Sequence, residues 1–238
     1  MKIKQKIIQK LDKKFSDKKW YLTLKDNYVS RTLLFAILGS IITLCFALFN
    51  GIYGLIYQSI WYGSFAIFYI ILSIQKCSLL LFYLAIYKKF NNDKNKLKIE
   101  KTKIYLYNGA IYIPLTISFG VVISMFFNVG KPSITGDILA IATAAYTTYK
   151  VTIAIIHFKK AIKEKDDILQ ALRNINMVEA IISIVLLANT LITTFGTFDT
   201  SMKTLIIILG LAACIVIISL GIFMVVKAIS KLKNNKTV

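Results

Sequence analysis

Histidine occurs once, proline twice and cysteine three times in these 238 residues, and 11 acids face 30 lysines and arginines. Each scarcity removes something. A lone histidine, His157, builds no metal cluster, and Cys45, Cys77 and Cys214 contain no CxxC spacing. Neither a metal site nor a disulfide is therefore expected. The three thiols fall in apolar stretches and read as small apolar filler. HExxH, GxSxG and a glycine-rich phosphate loop are all missing, as is a pair of acids inside any apolar stretch. A membrane enzyme gathers an acid/base pair or metal ligands in one place. The expectation is thus no catalytic residue, no cofactor and no enzyme.

What is abundant is apolar: 57% of residues, with 17% charged and a net charge of +19. Soluble domains run at about 45–50% apolar and about 25% charged. Strong apolarity and strong basicity coexist here because they occupy different segments, which disfavours both a soluble enzyme and a nucleic-acid binder. A bilayer core of about 30 Å takes about 20 apolar residues as helix. Six segments qualify, approximately 32–57, 61–87, 104–127, 137–157, 177–195 and 204–226. Their length rules out barrel strands, and in lipid a helix satisfies its own backbone. The fold class expected is an all-α integral membrane bundle of six transmembrane helices, preceded by an N-terminal amphipathic interfacial helix.

The charge fixes a threading. Ten basic residues precede the first span, seven lie between the second and third, five between the fourth and fifth, and four follow the sixth. One alternating set of connectors so holds 26 of the 30, which places both termini in the cytoplasm. Lysine clusters on that face attract anionic headgroups at about 1 kcal/mol per residue. The expected partners are membrane lipids through those headgroups, with a further copy of the chain or another membrane protein as open alternatives, and no nucleic acid. The bias toward Lys, Ile and Asn, with Arg31 and Arg173 the only arginines, suggests an AT-rich bacterial genome and a bacterial inner membrane.

In the segment 1–31, Ile3, Ile7, Leu11 and Phe15 recur every fourth residue among lysines, an interfacial pattern. Trp20 and Tyr21 would follow at headgroup depth. A solvated basic helix fits this segment as well, and no cleavable signal peptide is expected in it. Phe90–Lys103 reads as a polar linker. Lys159–Asn176 reads as a separate cytoplasmic helical element, with Asp166 and Asp167 capping a start at Ile168. Residues 227–238 form a basic tail. Ser40–Gly51 is similar to Phe119–Gly130, and Lys76 and Lys150 are 74 residues apart, which hints at a repeated hairpin.

Three ionisable residues lie inside spans. Lys76 sits about eleven residues, roughly 16 Å, from the cytoplasmic end of the second. Lys150 sits about seven residues, roughly 10 Å, from that end of the fourth, close enough to snorkel. Glu179 opens the fifth span. Buried charge in lipid costs a few kcal/mol even on lenient scales, so such residues face the bundle interior. Tyr69 and Ser73 share a helix face with Lys76 by their i, i+3 and i+4 spacings; Tyr146, Thr147 and Tyr149 lie beside Lys150. Two readings stay open. Lys76, Lys150, Glu179, Tyr69, Ser73 and Tyr149 form a substrate site in an inward cavity, or a Lys–Glu pair plus a snorkelling lysine locks the bundle. Asn189 reads as interhelical glue, Pro114 as a kink, and Gly51, Gly54 and Gly109 as points of close helix approach.

Ser59–Tyr69 (SIWYGSFAIFY) and Asn174–Leu187 (NINMVEAIISIVLL) resemble segments of an uncharacterised six-transmembrane-helix family of low-GC Gram-positive bacteria. That resemblance implies the same topology and no activity. The role expected is a small transporter or channel whose basic cavity takes an anionic solute or a lipid headgroup. The alternatives are a non-transporting scaffold or accessory subunit and, last, a lipid-modifying enzyme.

Overall fold

The computed structural model describes residues 28–90, 93–125, 136–161, 166–196 and 199–234. They form six helices: α1 (Tyr28–Ile56), α2 (Ile60–Phe90), α3 (Lys94–Met125), α4 (Asp137–Ala161), α5 (Asp167–Phe195) and α6 (Thr200–Asn234). All six are long and apolar enough to cross a membrane, and no strand occurs among the described residues. The chain divides into two compact units, of which the first ends at Gly39. The described part of the first is the opening of α1. The second, Ser40–Val238, holds everything discussed below. The interfacial helix expected around Ile3–Phe15 lies outside the described residues, as does Phe127–Asn128 of the hairpin repeat.

Two boundaries correct the sequence reading. Residues 94–103 are not a linker: α3 starts at Lys94, where Asp93 accepts a hydrogen bond from the Lys96 amide at 3.1 Å. That amide and the Lys96 ammonium hold the Asp93 carboxyl below its usual range. Nor is 166–176 a separate element. Asp166 caps α5 through the Ile168 amide at 2.9 Å, and the helix runs unbroken to Phe195. Buried Ile168, Ala171, Leu172, Ile175 and Val178 continue the apolar spacing of the span, so Asn174 and Asn176 are packed rather than helix-ending. α3 likewise continues through Pro114.

α5 is the central helix. It packs on α2, α3, α4 and α6, and the most extensive pairings in the bundle are α3 with α6 and α4 with α5. Lipid removes the hydrophobic drive between helices, so small residues that admit close backbones take over. On α6 the buried face is Gly210, Ala213, Ile217, Gly221, Met224 and Ala228, while Ile208, Leu211, Ile215 and Phe223 face outward. A Cβ on Gly54 would meet the Gly63 amide nitrogen at 2.7 Å, and one on Gly109 the Met224 Cβ at 2.7 Å. Close approach at Gly54 and Gly109 thus follows the expectation. The cysteines do not: Cys45 and Cys77 are exposed on the bundle surface and Cys214 is half-buried, all three as free thiols.

Candidate functional site

Polar residues recur on the buried faces of α1 to α5. α1 carries Ser40, Thr43 and Asn50; α4 carries Thr143, Thr147 and Lys150; α5 carries Gln170, Asn174, Glu179, Ser183, Asn189 and Thr193. A spacing of three or four keeps such residues on one side of a helix. In a lipid-facing bundle that side turns inward, because the bilayer offers it no hydrogen bonds. α2 adds Lys76.

Four of these groups converge. Lys76 Nζ donates to both oxygens of Glu179, at 2.8 Å to Oε1 and 2.9 Å to Oε2. Lys150 Nζ donates to Oε2 at 2.6 Å and to Thr43 Oγ1 at 2.6 Å. The Thr43 hydroxyl completes the ring, donating to Oε1 at 3.2 Å. Lys76 is 1% exposed, Lys150 2%, and Glu179 and Thr43 0%. Each lies within a helical turn of the middle of its helix. The cluster therefore places two lysines and one carboxylate midway along apolar helices, where charge is costly in a lipid-facing bundle.

Aromatic rings close one side. Phe46 of α1 stacks on Tyr146 of α4, centroids 3.7 Å apart, and Tyr69 of α2 meets both edge-on at 5.4 and 5.5 Å. Lys150 Nζ stands 5.3 Å from the Tyr146 ring and 5.8 Å from that of Tyr149, a cation–π arrangement. Several buried phenol hydroxyls have no partner among the described residues, and those of Tyr69 and of Tyr112 on α3 belong to rings that face Glu179.

On the other side, toward the lysine-rich helix ends, α5 continues with buried Asn174 and Gln170. There the helix start is tied to its neighbours. Lys101 Nζ pairs with Asp166 at 2.6 Å, the Thr102 hydroxyl donates to Asp167 at 2.7 Å, and Lys227 Nζ donates to Gln170 at 2.9 Å. Lys231 forms a further ion pair with Asp167. α3, α5 and α6 are thereby joined at one end.

The sequence-predicted residues separate accordingly. Lys76, Lys150 and Glu179 meet; Tyr69 and Tyr149 border them. Ser73 belongs elsewhere, its hydroxyl 2.8 Å from that of Ser40. Lys150 does not snorkel, because α4 extends to Ala161 and Glu179 holds the ammonium inside. Glu179 is not at a helix start, since α5 begins at Asp167. Asn189 is not glue: both its side-chain polar atoms are buried with no partner among the described residues. Thr43 and Phe46 were missed. Their signal is the spacing of Ser40, Thr43, Ala47 and Asn50, one small-and-polar stripe on an otherwise greasy helix.

A groove of about 590 Å³ between α2 and α3 is lined by Ile71, Gln75, Phe82, Lys103, Asn108 and Ile111 among others, and by none of the three charged cluster residues. The described residues hold no group of three or more His, Cys, Asp or Glu able to bind a metal. No family model matches the sequence, and no curated protein matches it.

Proposed function

We propose that this chain is a carrier for a small anionic solute in a bacterial cytoplasmic membrane, of the six-helix kind its sequence resembles, with both termini in the cytoplasm and anionic lipid headgroups against its lysine-rich ends. One observation carries the reading: two buried lysines share one carboxylate at mid-helix depth. A structural lock needs one cation per anion. With both lysines charged, the single carboxylate leaves one positive charge that nothing on the described helices neutralises, where an unpaired charge is costly. A bound monovalent anion balances it. The lysines and Thr43 form the anion site, and Tyr69 and Tyr112 supply hydroxyl donors that have no other use. The polar stripe of Asn174 and Gln170 supports access from the lysine-rich end, with the Asp166 and Asp167 ion pairs closing that access. No covalent step is assigned to any residue.

A second reading, a non-transporting scaffold, is favoured by the mutual satisfaction of Lys76, Lys150, Thr43 and Glu179. Exchange of labelled acetate, chloride and phosphate across liposomes containing the protein separates the two. The carrier exchanges at least one of them, and Lys150→Met lowers that exchange at least tenfold while the protein stays folded. Rates equal to those of empty liposomes for all three sink the carrier and leave the scaffold. The threading is checked separately. Protease outside intact cells leaves tags on both termini uncut, and loss of either tag overturns the cytoplasmic placement.

A further inference from the structure

The two lysines are not equivalent. Lys76 grips both oxygens of Glu179, the geometry of a settled ion pair. Lys150 has one bond to Glu179 and one to a neutral hydroxyl, Thr43, and stands over two tyrosine rings. A neutral amine fills that environment as well as an ammonium does, since the bonds to Glu179 and Thr43 use only two N–H donors. From this asymmetry we propose that Lys150 is the proton site of the carrier, a neutral amine when no solute is bound and an ammonium when a small monocarboxylate lies beside it. The inference rests on the anion-carrier reading above and adds the coupling and the solute class.

The charge count drives it. With Lys76 charged, Glu179 charged and Lys150 neutral, the empty cluster sums to zero. When an anion enters, one proton binds the Lys150 amine: R–NH2 + H+ + A− gives R–NH3+ paired with A−, and the sum is again zero. An anion bound without the proton, or a proton taken up without the anion, leaves a net charge in the core, which burial disfavours strongly. Proton and anion therefore bind together, and by linkage each strengthens the other's binding. A carboxylate is the solute class because the same donors already hold the carboxylate of Glu179 at 2.6–2.9 Å on both oxygens.

No other charged group in the cluster takes this role. The groups facing it are Thr43 from α1, Lys76 and Tyr69 from α2, Tyr112 from α3, Tyr146 and Tyr149 from α4, and Glu179 from α5. On α6, Lys227 and Lys231 face Gln170 and Asp167 instead. Neutral phenols change no count, and Lys76 is held by the bidentate pair.

Two measurements on the full chain in liposomes test the proposal. Nitrogen-15 NMR of lysine side chains, without acetate at neutral pH, shows one neutral amine signal, which Lys150→Met removes and Lys76→Met does not. Two buried ammonium signals and no neutral one overturn the proton site. Adding acetate converts the amine signal to ammonium, and a pH dye records about one proton taken up per acetate bound. Acetate bound without proton uptake overturns the coupling and spares the carrier. Failure to bind acetate, beside exchange of chloride or phosphate, overturns the solute class; failure to bind or exchange any of the three overturns the carrier itself. Lys150→Arg, permanently charged, keeps acetate binding and loses its proton uptake. If the bulkier arginine does not fold, the Lys150→Met spectrum still decides the proton site.

Discussion

Glu179→Gln lowers the stability of the protein by about 3–5 kcal/mol, the range found when one partner of a buried ion pair is removed. The carboxylate accepts from Lys76, Lys150 and Thr43 and is 0% exposed, so no water replaces it. The loss has a ceiling. A lysine stripped of its counter-charge can release its proton, which at pH 7 costs roughly 4–5 kcal/mol from an ordinary lysine. Lys150→Met is the contrasting case. It leaves Lys76 and Glu179 as a one-to-one bidentate pair and replaces the second lysine by a side chain of similar length, so stability changes by less than about 1 kcal/mol. Lys76→Met falls between, because Lys150 then offers Glu179 a single bond. Thermal unfolding in one detergent ranks the three, with Glu179→Gln far below the others. Equal losses for Glu179→Gln and Lys150→Met would mean that the second lysine is as necessary to the fold as the carboxylate, and the excess-charge argument would fall with it.

Much of this arrangement is written in the order of residues. Hydropathy alone marks six helices, and the rarity of charge within them points to Lys76, Lys150 and Glu179. What the order of residues does not contain is azimuth. Lys76 and Ser73 share a helix face by spacing, yet Ser73 turns to Ser40 on α1 while Lys76 turns to α5. Only the packing of α1, α2, α4 and α5 makes that choice. Helix ends were legible where a cap announces them, as Asp166 does for α5. They were illegible where polar helix leaves the apolar zone without a break, as in 94–103, because lysine ends a hydropathy window without ending a helix. Lys150 was misjudged for the same reason: its distance to water was counted from where apolarity ends rather than from where α4 ends. Thr43 was missed because one hydroxyl in an apolar run is common and its acceptor lies on a helix remote in sequence.

Gly109→Ala is expected to disrupt the α3–α6 crossing, and the same substitution at Gly120, in the same helix, is expected to help. The added methyl at 109 meets Met224 Cβ at 2.7 Å, the Gly221 carbonyl oxygen at 3.2 Å and Val225 Cγ2 at 3.3 Å. Cβ and backbone atoms are fixed by their helix, so relief requires α6 to move as a body. Overpacking of this kind costs about 1–3 kcal/mol, more than the roughly 1 kcal/mol that alanine gains over glycine in a helix. At Gly120 nothing lies within 4 Å, so only the gain remains. Gly221 behaves like Gly109, its added methyl meeting Tyr112 Cβ at 3.0 Å and the Gly109 carbonyl oxygen at 3.1 Å. Gly210 is also tight: its neighbours at 2.5–3.0 Å are Cδ1, Cγ1 and Cγ2 of Ile123, a buried β-branched side chain that is stiff at χ1. Midpoints of thermal unfolding should therefore place Gly120→Ala above wild type and Gly210→Ala, Gly221→Ala and Gly109→Ala all below it. Because Tyr112 abuts Gly221 and faces Glu179, displacement of α6 reaches the charge cluster through that ring. Solute exchange then falls in Gly221→Ala at temperatures where the protein is still folded. A Gly109→Ala midpoint at or above wild type would show that the α3–α6 contact yields without cost.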